Sequence, residues 1–330
     1  MDFNQNFARS RLGIGHILIL EHFRPTVLAK NHCFHGEPVV YPVRMSNQKN
    51  VRTIAVIGAG IMGRGIAQVS SMAGFVTVLN DISDELLEKA QVQIRSDLEK
   101  GVEIGKVTSA LMEETLSRLQ LQTNLERAAN QADLIIEAVP ERIELKVDLF
   151  ARLDRMCSPQ VVFASNTSAL SITEMAGATQ RPQQIIGMHF FNPVHKMKLI
   201  EIIRGLETSD ETFQIAASVA AKMGKETVEV KESPGFVTSR INALIGNEAF
   251  YMLQEGIASA RDIDKALKLG LNHPMGPFEM IDLVGLDTRL SILTFLHQTL
   301  GDKYRPCPLL VKYVKAGRLG KKVGRGVYEY

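Results

Sequence analysis

The chain has 330 residues, 45% of them hydrophobic and 22% charged, with a formal net charge of +2. That length supports two domains with cores of their own, and the near balance of charge gives no reason to expect nucleic acid or an anionic membrane as partner. No apolar run reaches the about 18 residues that cross a bilayer, and three scattered cysteines, Cys33, Cys157 and Cys307, argue for a reducing, cytoplasmic setting and against a disulfide framework or a zinc site.

The first 50 residues differ in character from the other 280. They carry His16, His22, His32 and His35, show no clear period, and precede the strand that opens the regular part of the chain. The apolar segment 13–20 is too short for a membrane span, and Asp2 and Glu21 do not suit a transit peptide. His32-Cys33-Phe34-His35 offers metal-binding side chains, but four adjacent residues rarely converge on one ion, and no metal is expected. We expect 1–50 to be an extension, disordered or preceding the natural start, with Met45 as the first residue of the native chain. The intact mass of native protein tests this.

The next segment is the most informative. An apolar strand over 53–57 runs directly into Gly58-Ala59-Gly60-Ile61-Met62-Gly63, and Asp81 closes the next apolar run, 18 residues after Gly63. Gly58 permits the tight strand-to-helix turn, Gly60 lets backbone approach a pyrophosphate, and Gly63 lets the helix pack closely. The helix beginning near Ile61 aims unpaired N–H groups and its positive end at the phosphates. Asp81 accepts hydrogen bonds from ribose hydroxyls, and no Arg comes after it to take a 2′-phosphate, which predicts NAD rather than NADP.

Helical spacing of Leu86, Leu87, Ala90 and Ile94 predicts a helix over 84–101, and a second helix is predicted over 109–119. The pair is larger than an ordinary crossover and reads as a helical excursion. Strands are predicted over 133–139, 161–164, 185–190, 199–203 and 227–230, with helices over 141–156 and 210–223. Ser233-Pro234-Gly235 marks a boundary. Beyond it only helical periodicity is expected, over 236–256, 260–269, 277–284 and 286–300. The predicted fold is thus α/β, a Rossmann-type NAD-binding domain (51–233) with a helical excursion, joined to an all-α C-terminal domain (234–330) suited to substrate binding and to homodimer formation.

Hydride transfer to NAD needs a base beside the reacting carbon, and histidine titrates in the right range. Of His189 and His195, only His189 ends a predicted strand, where the carboxyl ends of an open α/β sheet line the ligand crevice. His195 falls in a loop and reads as a surface residue. Glu201, on the next strand, is placed to hold His189 in one tautomer. Ser165-Asn166-Thr167-Ser168 ends another strand and offers hydroxyls and an amide to substrate or nicotinamide.

Several motifs together resemble those of 3-hydroxyacyl-CoA dehydrogenases, the bacterial 3-hydroxybutyryl-CoA enzymes especially. They are Ile57 to Gly63, Glu137-Ala138-Val139-Pro140-Glu141, Ala164 to Ser168, His189-Phe190-Phe191-Asn192-Pro193-Val194, Pro234-Gly235-Phe236, Pro274-Met275-Gly276-Pro277-Phe278-Glu279 and Gly320-Lys321-Lys322-Val323-Gly324. The resemblance covers 51–330. It implies oxidation of a 3-hydroxyacyl-CoA thioester, short-chain, in β-oxidation or its reverse. It makes His189 the base, Glu201 its orienting carboxylate and Ser168 a contact to substrate and nicotinamide. Glu141, Lys146, Asn192 and Lys322 match cofactor-holding residues, and the excursion matches the region over the CoA end, with Lys100 and Lys106 as candidate phosphate partners. One departure stands out: Ser239 occupies a position where the family often carries Asn near the substrate carbonyl. Asn247, two turns along the same predicted helix, is its candidate helper. A free hydroxy acid or sugar acid as substrate, and a non-catalytic cofactor-binding protein, are the competing readings. An intact His189–Glu201 pair argues against the last.

Overall fold

A computed structural model describes residues 50–330. The readings of the extension, the His32–His35 cluster and the Met45 start lie outside the described residues. Eight strands form one sheet: β1 (Thr53–Ile57), β2 (Val76–Asn80), β3 (Leu119–Gln122), β4 (Leu134–Glu137), β5 (Val162–Ser165), β6 (Ile185–Phe190), β7 (Leu199–Arg204) and β8 (Glu226–Lys231), in the order β3-β2-β1-β4-β5-β6-β7-β8. All neighbours are parallel except β6 and β7. The order reverses at β1, whose neighbours are β2 and β4, and this opens a crevice at the carboxyl ends of those strands.

Helices α1 (Ile61–Met72), α2 (Asp84–Glu103), α3 (Ser109–Arg118) and α7 (Asp210–Lys222) cover one face of the sheet, and α4 (Leu125–Asn130), α5 (Ile143–Met156) and α6 (Ile172–Gly177) the other. The α2–α3 hairpin is the expected excursion. Its first helix buries Leu87, Ala90, Ile94 and Leu98, and Ser83 caps it by accepting the Leu86 N–H. After Lys231 the elements are α8 (Thr238–Gln254), α9 (Ala260–Gly270), α10 (Pro277–Val284), α11 (Leu286–Leu300) and α12 (Pro308–Lys315). They close around Phe250, Phe278, Leu293, Leu296 and Tyr304.

Short elements with weak patterns escaped the sequence: β3, α4, α6 and α12 were not expected. Two differences in boundary matter for the site. The helix read from 141 begins at Ile143, because Arg142 N–H bonds back to Pro140 O at 2.7 Å and leaves Glu141 outside it. The helix read from 236 begins at Thr238, because Gly235 (φ 73°) and Phe236 (φ 50°) are both left-handed and turn the chain first. That turn aims the start of α8 at β7.

Candidate active site

The glycine turn is built by close approach. Gly58 has φ 105°, and a Cβ there would stand 2.7 Å from Ala138 O. At Gly63 a Cβ would lie 1.7 Å from Gly58 O, so α1 packs against the turn itself rather than simply against the sheet. A Cβ on Gly60 would meet nothing within 4 Å. Gly60 also leads α1 without a side-chain cap, no acid stands in the first turn, and Ile61 is 60% exposed. Met62, next along, is half-buried against the sheet core. Asp81 Oδ2 accepts the Ala59 N–H at 2.6 Å, which fixes the carboxylate against the turn. Open backbone, an uncapped helix start and an adjacent acid fit a dinucleotide.

Across the sheet, β6 and β7 run antiparallel with His189 directly opposite Glu201. His189 Nδ1 lies 2.7 Å from Glu201 Oε2. The carboxylate accepts, so Nδ1 donates, and among the described residues Nε2 has no hydrogen-bond partner. Glu201 is fully buried. Its Oε1 accepts the backbone N–H of Thr238 at 2.9 Å and of Val237 at 3.3 Å, and the Thr238 hydroxyl donates to Oε2 at 3.1 Å. The His189 ring packs against Phe191 and Phe236, with centroids 4.4 and 6.0 Å away.

Burial by itself would raise the Glu201 carboxyl, but the hydrogen bonds from His189 and Thr238 outweigh it and hold the pKa below its ordinary 4.5. A carboxyl depressed in this way stabilises the fold above its unfolded pKa, and the contribution is lost as pH falls through the folded value. The melting temperature of the wild type is therefore expected to fall more steeply than that of Glu201→Gln between about pH 5 and about pH 3. Parallel curves would remove the linkage.

Ser168 sits on the loop after β5. Its N–H donates to Glu141 Oε1 at 2.8 Å, and the Thr167 hydroxyl donates to the same oxygen at 2.6 Å. Among the described residues the Ser168 hydroxyl has no partner, so it is available to a ligand. Asn166 is used internally: its Oδ1 accepts the Phe190 N–H at 2.9 Å and ties this loop to the end of β6 beside His189. Asn192 is exposed just beyond β6. Ser239, half-buried, lies in the first turn of α8.

Three expected site residues stand differently. Lys146 is wholly buried, with Nζ 2.7 Å from Glu137 Oε1 and 3.2 Å from Glu141 Oε2, so its charge is engaged by these two carboxylates. Asn247 is no helper to Ser239: its Nδ2 donates to Arg305 O at 2.9 Å and its Oδ1 accepts the Cys307 N–H at 2.8 Å, so the amide fastens the segment before α12. Lys322 is engaged by both oxygens of Asp287 at 2.7 Å. His195, read as a plain surface residue, lines a cavity of about 970 Å³ with Asp97, Lys100, Lys106 and Lys196.

Sequence reading quoted Glu137 in a motif but gave it no role; it is fully buried and accepts from Ser165 Oγ at 2.6 Å as well as from Lys146. Burial pushes its pKa up, against the opposing effect of Lys146. An acid closing the apolar strand Leu134–Glu137 was the available signal.

Residues 53–233 match the family model for the 3-hydroxyacyl-CoA dehydrogenase NAD binding domain, and 235–330 match that for the family's C-terminal domain. A probable 3-hydroxybutyryl-CoA dehydrogenase of Bacillus subtilis is 50% identical over 281 residues, which is 85% of this chain and 98% of that one. The 3-hydroxybutyryl-CoA dehydrogenase of Bradyrhizobium diazoefficiens is 46% identical, covering 85% and 96%. The crystal structure of (S)-3-hydroxybutyryl-CoA dehydrogenase PaaH1 from Ralstonia eutropha superposes with a TM-score of 0.83 at 43% identity, covering 85% of this chain and 99% of that one. The chain belongs to the 3-hydroxyacyl-CoA dehydrogenase family, and its sheet domain is that family's NAD-binding domain.

Proposed function

We propose that the protein oxidises (S)-3-hydroxyacyl-CoA thioesters reversibly to 3-oxoacyl-CoA, preferring short acyl chains, in β-oxidation or its reverse. The observation that carries the reading is the His189–Glu201 pair at the carboxyl end of β6, with one ring nitrogen fixed and the other free. NAD, when bound, accepts the hydride from C3. His189 Nε2 takes the hydroxyl proton, and Glu201 stabilises the imidazolium that results. The free Ser168 hydroxyl bonds the C3 oxygen, and Ser239 supports the thioester carbonyl. In the reverse direction His189 returns the proton. Gly58, Gly60, Ile61, Met62 and Gly63 hold the phosphates and Asp81 the ribose. Glu141, Asn192 and Lys322 serve the remainder of the cofactor.

The α2–α3 hairpin supports a CoA substrate over a free acid, since the cavity of about 970 Å³ beside it, lined by Lys100, Lys106 and Lys196 together with Asp97 and Glu103, is larger than a small acid would fill. The expected result is that NADH oxidation proceeds at least about 100-fold faster, as kcat/KM, with acetoacetyl-CoA than with free acetoacetate, and that NADPH is a poor substitute. Equal rates on the two substrates would favour a free hydroxy acid as the physiological substrate.

The chain is also proposed to act in the cytoplasm as a homodimer through its helical domain. Ile241 (54% exposed), Leu283 (53%) and Val284 (42%) present apolar surface there. No helix among the described residues is long and apolar enough to cross a membrane.

A further inference from the structure

The His189–Glu201 pair is not completed within the sheet. Glu201 Oε2 receives two donors, His189 Nδ1–H at 2.7 Å and the Thr238 hydroxyl at 3.1 Å. Among the described residues its other oxygen receives only backbone N–H groups, from Val237 and Thr238. Those backbone donors exist whatever residue stands at 238, whereas the hydroxyl belongs to this side chain alone. A donor on a carboxylate oxygen draws negative charge away from any other hydrogen bond to that oxygen.

We propose that Thr238 is a positioning residue for the reaction: by sharing Glu201 Oε2 with His189, its hydroxyl weakens the carboxylate's hold on the imidazolium formed when His189 Nε2 accepts the proton. The inference rests on the reading of His189 as the base. Because Thr238 opens α8, seating of the helical domain on the sheet then sets the strength of a base in the other domain.

The surroundings leave the effect to these groups. From β8, the residue opposite Glu201 is Val228, while Glu229 pairs with Arg204 and Glu226 lies opposite Leu199. From α8, Arg240 donates to Tyr304 and Ser233. The loop after β5 brings Thr167 and Ser168, and the rings of Phe191 and Phe236 carry no charge. Glu141 and Lys146 face each other beneath that loop.

The test is the pH profile of kcat/KM for 3-hydroxybutyryl-CoA oxidation in Thr238→Val, which removes the hydroxyl and keeps the backbone N–H, and in Thr238→Ser, which keeps both. In Thr238→Val the acid limb is expected to move up by about half a unit to one unit, with NADH affinity unchanged, while Thr238→Ser keeps the wild-type limb. An unmoved or lowered limb in Thr238→Val overturns the proposal, as does a Ser variant that shifts as Val does. Should Thr238→Val fail to fold, Thr238→Ala reads the same shift. His189→Ala separates the two levels: substantial activity without His189 defeats the assignment of the base, whereas an inactive His189→Ala beside an unmoved Thr238→Val limb defeats only the role of Thr238.

Discussion

His189→Ala is expected to lower kcat for 3-hydroxybutyryl-CoA oxidation by about 10²–10⁴-fold, the usual contribution of a positioned general base. The NADH dissociation constant should stay nearly unchanged. The reason is spatial. His189 lies on β6, three places from β1 in the sheet, or about 14 Å at the usual strand spacing, while the phosphates and ribose are assigned to the glycine turn and Asp81. Steady-state kinetics and an NADH fluorescence titration on the same preparation check both halves. Loss of NADH binding would move His189 from the base to the cofactor site. Glu201→Gln should fall between, because an amide still meets the ring nitrogen but carries no charge to stabilise an imidazolium.

The second large effect separates two glycines of one motif. In Gly63→Ala the new methyl would meet Gly58 O at 1.7 Å, a backbone atom that no side-chain rotation can move aside. Either α1 or the turn must shift, so we expect destabilisation of about 3 kcal/mol together with loss of NADH binding. Gly60→Ala should behave oppositely in stability. Gly60 has φ −64°, and its new methyl meets nothing within 4 Å. The fold should gain about 0.4–1 kcal/mol from the stiffer unfolded chain. The methyl nevertheless stands where backbone must approach a pyrophosphate, so NADH affinity should fall at least about tenfold. Thermal melts with NADH titrations of both variants decide it. A Gly60→Ala protein that binds NADH normally would place the phosphates elsewhere.

How far the sequence could be read depends on the range of the interactions involved. The order of the main strands and helices follows from local periodicity, and β6, α10 and α11 have the predicted limits. The strand β3 and the helices α4 and α6 span only four to six residues, too few to set a period, so they escaped. The glycine turn was legible because part of its demand is steric and local, Gly63 against Gly58 five residues away, although Gly58 meets Ala138 only in the folded chain. The pairing of His189 with Glu201 was legible because a hairpin of adjacent strands leaves few registers once both apolar faces must be buried.

Other features required the folded chain. Lys146 was assigned to the cofactor from the family resemblance, yet it lies sealed between Glu137 and Glu141. Nothing in a sequence states which charges will be covered, and a covered charge takes partners from within. Asn247 shares a helix with Ser239, but its amide is saturated by Arg305 and Cys307, 58 and 60 residues away. Thr238 acquires its place beside Glu201 only through the left-handed turn at Gly235 and Phe236. By itself the sequence determined a dinucleotide turn, a Rossmann-type order of elements and a histidine–glutamate pair, because these rest on local sterics and short-range periodicity. Tertiary structure alone decided which polar groups stay free for substrate and which are consumed internally, because that depends on contacts between segments far apart in the chain and on which of them lose their water.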